Sequence, residues 1–165
     1  MPVLTPTLAR DGHAERLLSL REAAARWLVS LGLLQWEPGE VSLEEIRSQV
    51  KRRQWWVLES DDRLRGALRV LKEDPDAWGE QAEAALYVHG LVIARDEAGA
   101  GLGAGLLRWV EALAVGRGAR LVRLDCVEGN QQLRAYYKDQ GFAEVGRAFH
   151  DPRWHPAVLL EKSLS

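Results

Sequence analysis

One cysteine, Cys126, stands among 165 residues. A single thiol closes no internal disulfide, which fits a reducing, cytoplasmic setting. Net charge is scarce as well: 22 lysines and arginines face 24 aspartates and glutamates, leaving −2 at neutral pH. That balance gives no electrostatic ground for a nucleic-acid partner or an anionic membrane surface. No apolar run approaches the roughly 18 residues needed to span a bilayer. The opening residues, MPVLTPTLAR, lack the basic start and apolar stretch of a signal peptide. Internal repeats, low-complexity segments and linkers are missing too, so the expectation is one domain over residues 1–165.

What is present is an ordinary globular balance, 47% apolar and 28% charged. Tryptophan is abundant, with seven residues, and composition alone does not assign them to a core or a groove. Residues 3–9 alternate enough for a short strand. Leu17, Leu20, Ala24, Trp27, Leu28 and Leu31 recur at helical spacing, with Gly32 as a stop. Ser42 reads as an N-cap, with Glu45 three residues on, for a second helix carrying Leu43, Ile46 and Val50. QWWVLES and RLRGALRVL read as strands joined by a turn at Asp61-Asp62. KEDPDAWGEQAE reads as a polar loop. AALYVHGLVIA is an apolar strand, and Gly90 inside it hints at a bulge or a close backbone approach. A helix with Leu102, Leu106, Trp109, Val110 and Leu113 on one side comes next. Then follow a strand (ARLVRLDCV), a short helix (NQQLRAYYKDQ) ended by Gly141, and two closing strands, FAEVGRAF and AVLLEKSL. This order predicts an α/β (α+β) fold, a mixed sheet with helices on its faces.

The stretch DEAGAGLGAGLLRW is the strongest local signal. Gly99, Gly101, Gly103 and Gly105 alternate with small or apolar residues where a helix begins. Glycine inside a helix costs about 1 kcal/mol relative to alanine. A helix start offers unpartnered N–H groups and a partial positive charge, and without side chains in the way those groups reach a phosphate closely. The spacing therefore predicts a pyrophosphate cradle; a flexible loop with close helix–sheet packing is the plainer alternative. The P-loop pattern fails, because Ala104 follows Gly103 where lysine is required. Gly99-x-Gly101-x-x-Ala104 does fit a dinucleotide fingerprint, with Asp125 in the next strand. Only 40 residues follow Asp125, too few for the rest of such a domain.

LVIARDEAGAGLGAGLL followed by NQQLRAYYKDQGF resembles the GNAT N-acetyltransferase superfamily. The resemblance rests on Leu91-Val92-Ile93 at a strand end and on Ala98-Gly99-Ala100-Gly101-Leu102-Gly103 in the glycine motif. Asn130, Tyr137 seven residues later, and Gly141-Phe142 complete it. It is specific over residues 84–145 and departs at Ala98, where the family usually has arginine or glutamine. It implies a mixed, mostly antiparallel central sheet of about seven strands flanked by about four helices.

The resemblance also implies acetyl-CoA as cofactor and transfer of its acetyl group to a primary amine by direct attack in a ternary complex. Residues Ala98, Gly99, Ala100, Gly101, Leu102, Gly103 and Ala104 would hold the diphosphate, and Asn130 would hydrogen-bond the coenzyme. The main chain of Leu91, Val92 and Ile93 would hold the pantetheine arm, with the Val92 N–H as oxyanion donor. Tyr137 matches the family's acid for the departing thiolate; a phenol of pKa about 10 and a thiol of about 8.5 can share a proton. His89 is the candidate base, because imidazole titrates near neutral pH; Tyr87, Glu83 and a water chain are alternatives. Trp36, Trp78 and Tyr87 are candidate acceptor-binding residues, and Trp56 is core by default.

Cys126 reads as a small buried thiol rather than a nucleophile. His13, His150 and His155 show no metal spacing. The acceptor stays open among polyamine, amino acid, aminoglycoside, peptide N-terminus and protein lysine, and GNAT proteins often form homodimers. Two other readings stand: a coenzyme A-binding regulatory module without turnover, and a nicotinamide-dependent oxidoreductase.

Overall fold

A computed structural model of the chain describes residues 4–33, 35–148 and 155–164. The start of the first expected strand, at Val3, falls outside the described residues, as do Phe149 and His150. The elements are β1 (Thr7–Leu8), α1 (Ala14–Ser30), α2 (Leu43–Lys51), β2 (Trp55–Ser60), β3 (Arg63–Leu71), α3 (Pro75–Trp78) and β4 (Ala85–Ile93). They continue with α4 (Leu102–Gly116), β5 (Leu121–Val127), α5 (Gln131–Asp139), β6 (Ala143–Ala148) and β7 (Ala157–Ser163). The strands form one seven-stranded sheet in the order β1-β2-β3-β4-β5-β7-β6. The β1–β2, β2–β3, β5–β7 and β6–β7 pairs are antiparallel, and β4–β5 is parallel. A nicotinamide-binding domain is wound from parallel strands throughout, so this sheet does not fit that reading.

Local chemistry explains most boundaries. The Ser42 hydroxyl accepts the Glu45 N–H at 3.1 Å and starts α2. Asp61 and Asp62 sit at φ 53° and 57°, a tight hairpin turn of the type whose twist matches the strands it joins. Two expectations are corrected. The first strand is short among the described residues: Thr7 and Leu8 pair with β2, and the Ala9 N–H adds a bond to the Trp55 carbonyl (2.9 Å). The polar loop after β3 contains a helical turn, α3, begun by Pro75 at a position where a missing N–H costs nothing.

The chain forms two compact units, residues 1–32, 36–70 and 90–106, and residues 33–35, 71–89 and 107–165; the boundaries fall inside β4 and α4. In the first unit Leu17, Ile46, Val50, Trp55, Val57, Ala67 and Val92 build an apolar core. Gly90 is required there: its φ is 60°, and a Cβ would lie 2.7 Å from the Trp55 ring. This is the close approach its place in the strand suggested. His13 is buried and accepts the Arg10 N–H through Nδ1 (2.9 Å), while Arg16 donates to Glu59 at 2.7 Å. The neighbouring His13 ring and Arg16 hold the Glu59 carboxyl below its usual range.

The second unit is built on β5, which pairs with β4 from Ala85↔Leu121 to Val88↔Leu124 and with β7 along its whole length. Its interior contains an arginine. The Arg123 side chain, 2% exposed, donates to Glu161 (2.7 Å), Tyr87 Oη (2.8 Å) and Glu83 (3.2 Å). Trp78 packs edge-on against Tyr87 at 5.9 Å and lies 4.9 Å from the Arg123 guanidinium. A buried cation persists only when paired and hydrogen-bonded, and these partners supply that.

Candidate active site

The first unit contains the glycine loop. After β4 a single helical turn, Arg95–Glu97, leads to Ala98 and then to α4. Gly99 and Gly101 have φ 85° and 78°, conformations that other residues adopt at a cost of about 1–2 kcal/mol. A Cβ at either would meet nothing within 4 Å, so the space above the loop is open. The helix's first hydrogen bond runs from the Gly105 N–H to the Gly101 carbonyl (3.0 Å). The N–H groups of Leu102, Gly103 and Ala104 therefore precede the ladder and have no acceptor within it.

Two acids stand just before the loop, and each is matched by an arginine of β3: Arg63 pairs with Asp96 and Arg65 with Glu97. The Arg63 contact draws the Asp96 carboxyl below its usual range. These pairs remove free negative charge from the approach to the loop, which an anion needs. Ala98, where the resemblance leads one to expect arginine or glutamine, supplies no side-chain donor, and its backbone N–H already donates to the Arg95 carbonyl (3.2 Å).

The end of β4 lies beside β3 in the same unit. The Ala94 N–H donates to the Arg65 carbonyl (2.9 Å), and the Val92 carbonyl lies 3.1 Å from where a Gly66 Cβ would be. Main-chain groups of alternate strand residues point to alternate edges. The Val92 N–H is therefore directed to β3, and those of Leu91 and Ile93 to the opposite edge. This corrects the expectation for Val92: its amide faces β3, and the amides of its two neighbours face the other edge.

The second unit holds Asn130, Tyr137 and His89. Asn130 caps α5, its side chain accepting the Leu133 N–H at 3.1 Å, so the plain capping role is filled. Its NH₂ group makes no hydrogen bond among the described residues. Tyr137 is buried, with its ring edge-on to Tyr136 (5.5 Å) and Phe142 (5.9 Å). Burial above all raises its pKa well past the ordinary phenol value, so the hydroxyl keeps its proton at neutral pH. Cys126 is buried, and burial pushes its thiol up to about 12, which leaves too little thiolate for nucleophilic catalysis. His89 Nε2 lies 2.8 Å from Asp74 Oδ2.

The aromatic candidates have packing partners. Trp36 packs on the core of the first unit, with Arg21 over its ring at 4.6 Å. Tyr87 is 2% exposed and its hydroxyl is held by Arg123, while Trp78 packs on Tyr87 with its indole N–H buried. Among the described residues no group of three metal-ligating side chains occurs, and no helix is long and apolar enough to cross a membrane. Sequence reasoning missed Asp74, the arginines of β3, and Gln35, whose side chain accepts the Val127 N–H (3.1 Å) beyond the β4–β5 ladder. No short-range signal could have found them, since each partner is distant in sequence.

The model of the acetyltransferase (GNAT) family matches residues 12–142. The chain belongs to this family. Its enzymatic class is therefore acetyl transfer, with acetyl-CoA as the family's donor. The acetyltransferase is 29% identical over 141 residues to the uncharacterized N-acetyltransferase YesJ of Bacillus subtilis, covering 81% of this chain and 78% of the relative. It superposes on a GNAT-family acetyltransferase of Listeria monocytogenes with a TM-score of 0.81 at 24% identity, covering 98% and 95% of the two chains. A further neighbour is YncA, a putative acetyltransferase of Salmonella typhimurium solved with its cofactor acetyl-CoA (TM-score 0.70, 15% identity, 99% and 95% covered). The last two likenesses speak for the fold.

Proposed function

We propose that the enzyme transfers the acetyl group of acetyl-CoA to a primary amine by direct attack, with both substrates bound together. The observation that carries this reading is the loop at residues 98–104. Its positive-φ glycines, the open space above them and the bare amides of the first α4 turn fit a diphosphate. Bound acetyl-CoA supplies an acetyl thioester, whose carbonyl carbon accepts the amine while its C–S bond breaks.

Each residue then has a defined task. Backbone amides of Gly99, Gly101, Leu102, Gly103 and Ala104 grip the diphosphate, while those of Ala98 and Ala100 already donate to the Arg95 and Glu97 carbonyls (3.2 and 3.4 Å). The edge amides of Leu91 and Ile93 hold the pantetheine arm and the thioester oxygen, stabilising the charge that grows there. The Asn130 NH₂ group donates to the coenzyme. His89 takes the proton that the acceptor ammonium must lose before attack. Tyr137 directs its hydroxyl to the departing sulfur. A thiol is a stronger acid than a phenol, so the hydroxyl shares its proton and stabilises the thiolate without full transfer. Cys126, neutral and buried, takes no part, which argues for attack without an acyl-enzyme.

Tyr137→Phe tests the reading. Turnover in acetyl-CoA thiol release with a panel of primary amines should fall about a hundredfold. Coenzyme affinity by calorimetry should hold, as should thermal stability, since no hydrogen bond of this hydroxyl exists among the described residues. Because the raised pKa keeps the hydroxyl protonated, activity should show no Tyr137-dependent loss with rising pH until well above the ordinary phenol value of 10.0. Equal losses of turnover and coenzyme affinity would remove Tyr137 from the acid role. Tight acetyl-CoA binding with no turnover on any amine would favour the regulatory module, to which Ala98 lends some weight.

A further inference from the structure

We propose that Asp74 is a positioning residue for His89, its carboxylate fixing the imidazole as the Nε2–H tautomer so that Nδ1 presents the lone pair that accepts the proton. The inference rests on the reading of His89 as the base. It begins from one contact, His89 Nε2 to Asp74 Oδ2 at 2.8 Å, between side chains 25% and 12% exposed. An ionised carboxylate has no proton to give and can only accept. The nitrogen facing it must carry the hydrogen, and a neutral ring then bears its lone pair on the other nitrogen. Among the described residues His89 Nδ1 makes no hydrogen bond.

The surroundings hold Asp74 in place for this task. It is the residue before α3, and its carbonyl accepts the Trp78 N–H at 2.9 Å. An aspartate at that position ordinarily turns its side chain onto the helix's first amides, yet this side chain makes no such cap. It points to His89 instead. Trp78, at the other end of α3, packs on Tyr87, two residues before His89 in β4. The same turn thus fixes the carboxylate and rests on the strand that carries the ring.

Other charged or titratable groups share this face of the sheet: Tyr87 on β4, Arg123 and Asp125 on β5, and Glu161 on β7, with Glu83 reaching in from the loop. Arg123 is occupied by Glu161, Tyr87 and Glu83. Among the described residues Asp74 is the carboxylate at hydrogen-bond distance from His89 (2.8 Å), and it stabilises the imidazolium formed when Nδ1 takes a proton.

The full chain, labelled with ¹⁵N-histidine, gives the first readout. The His89 signals, assigned by their loss in His89→Gln, should report the Nε2–H tautomer in the unaltered protein, which needs no variant to fold. Asp74→Ala should let a share of the His89 rings take the Nδ1–H form, and Asp74→Glu should suppress it again. An Nδ1–H tautomer in the unaltered protein, or no change of tautomer in Asp74→Ala, overturns the proposal.

The second readout is thiol release from acetyl-CoA with the fastest of four probes: spermidine, glycinamide, an alanyl peptide and kanamycin. Asp74→Asn should reduce turnover about tenfold without changing acetyl-CoA affinity, and should add nothing in a His89→Gln background. An equal loss in both backgrounds would mean that Asp74 acts through the fold, and it overturns the positioning role alone. Unaltered turnover in His89→Gln would instead remove the base reading itself, and Asp74's role with it, while the tautomer stands as measured.

Discussion

At the start of α4 the groups offered for chemistry are backbone amides, above glycines with open space around them. Around Arg123 they are side chains: a guanidinium 2% exposed, with a phenol and two carboxylates arranged on it. The difference follows from what the proposed function asks of the first region and what burial asks of the second. A diphosphate is large, charged and met by several donors at once, so the best wall is bare main chain with the helix dipole behind it. A cation buried beside a strand must be neutralised in place, which only side chains of opposite charge can do. The first arrangement depends on glycine where φ is positive and the second on every charged partner being present.

Substitutions can break that contrast. The largest effect is expected from Arg123→Met, which leaves Glu161 and the Tyr87 hydroxyl without their partner. Breaking a buried pair costs about 3–5 kcal/mol, or roughly 6–20 °C in melting temperature. A melting point within about 2 °C of the unaltered protein would mean that the cluster contributes little. Gly101→Ala acts on the other region. No neighbouring atom meets the new methyl group, so the expected cost is about 1–2 kcal/mol of backbone strain. That amounts to roughly 2–8 °C in melting temperature. Acetyl-CoA should bind at least about tenfold more weakly, because the methyl group occupies the diphosphate's space. Undiminished affinity would refute the cradle. The smallest effect sharpens the contrast by adding a side chain where main chain works alone. Ala98→Arg should tighten acetyl-CoA binding a few-fold, by about 1 kcal/mol, and make it more sensitive to salt. Titrations at two ionic strengths would show both.

Readability from the sequence divides along the same line. The glycine loop was visible because bare backbone needs glycines closely spaced along the chain, a local pattern. The Ser42 cap, the hairpin turn at Asp61-Asp62 and the tight place of Gly90 were legible for the same reason. The turn α3 was missed because the polar residues around Pro75 outweighed a single helix-starting signal. Val92 was given the wrong edge because strand alternation fixes the relative directions of neighbouring amides, while the neighbouring strand fixes the absolute one. Trp78 and Tyr87 looked like groove residues, since nothing nearby in sequence announces that Arg123 lies against them.

The order of elements, the caps, the glycine loop and membership in the acetyltransferase family follow from residues close together along the chain, where periodicity and backbone freedom act directly. Which edge of β4 is free, which carboxylate holds Arg123, and that Asp74 rather than solvent meets His89 were decided only by folding. Those contacts join residues separated by 15 to 46 positions, as with Asp74 and His89 or His13 and Glu59, and their energy depends on burial and distance that no local pattern encodes.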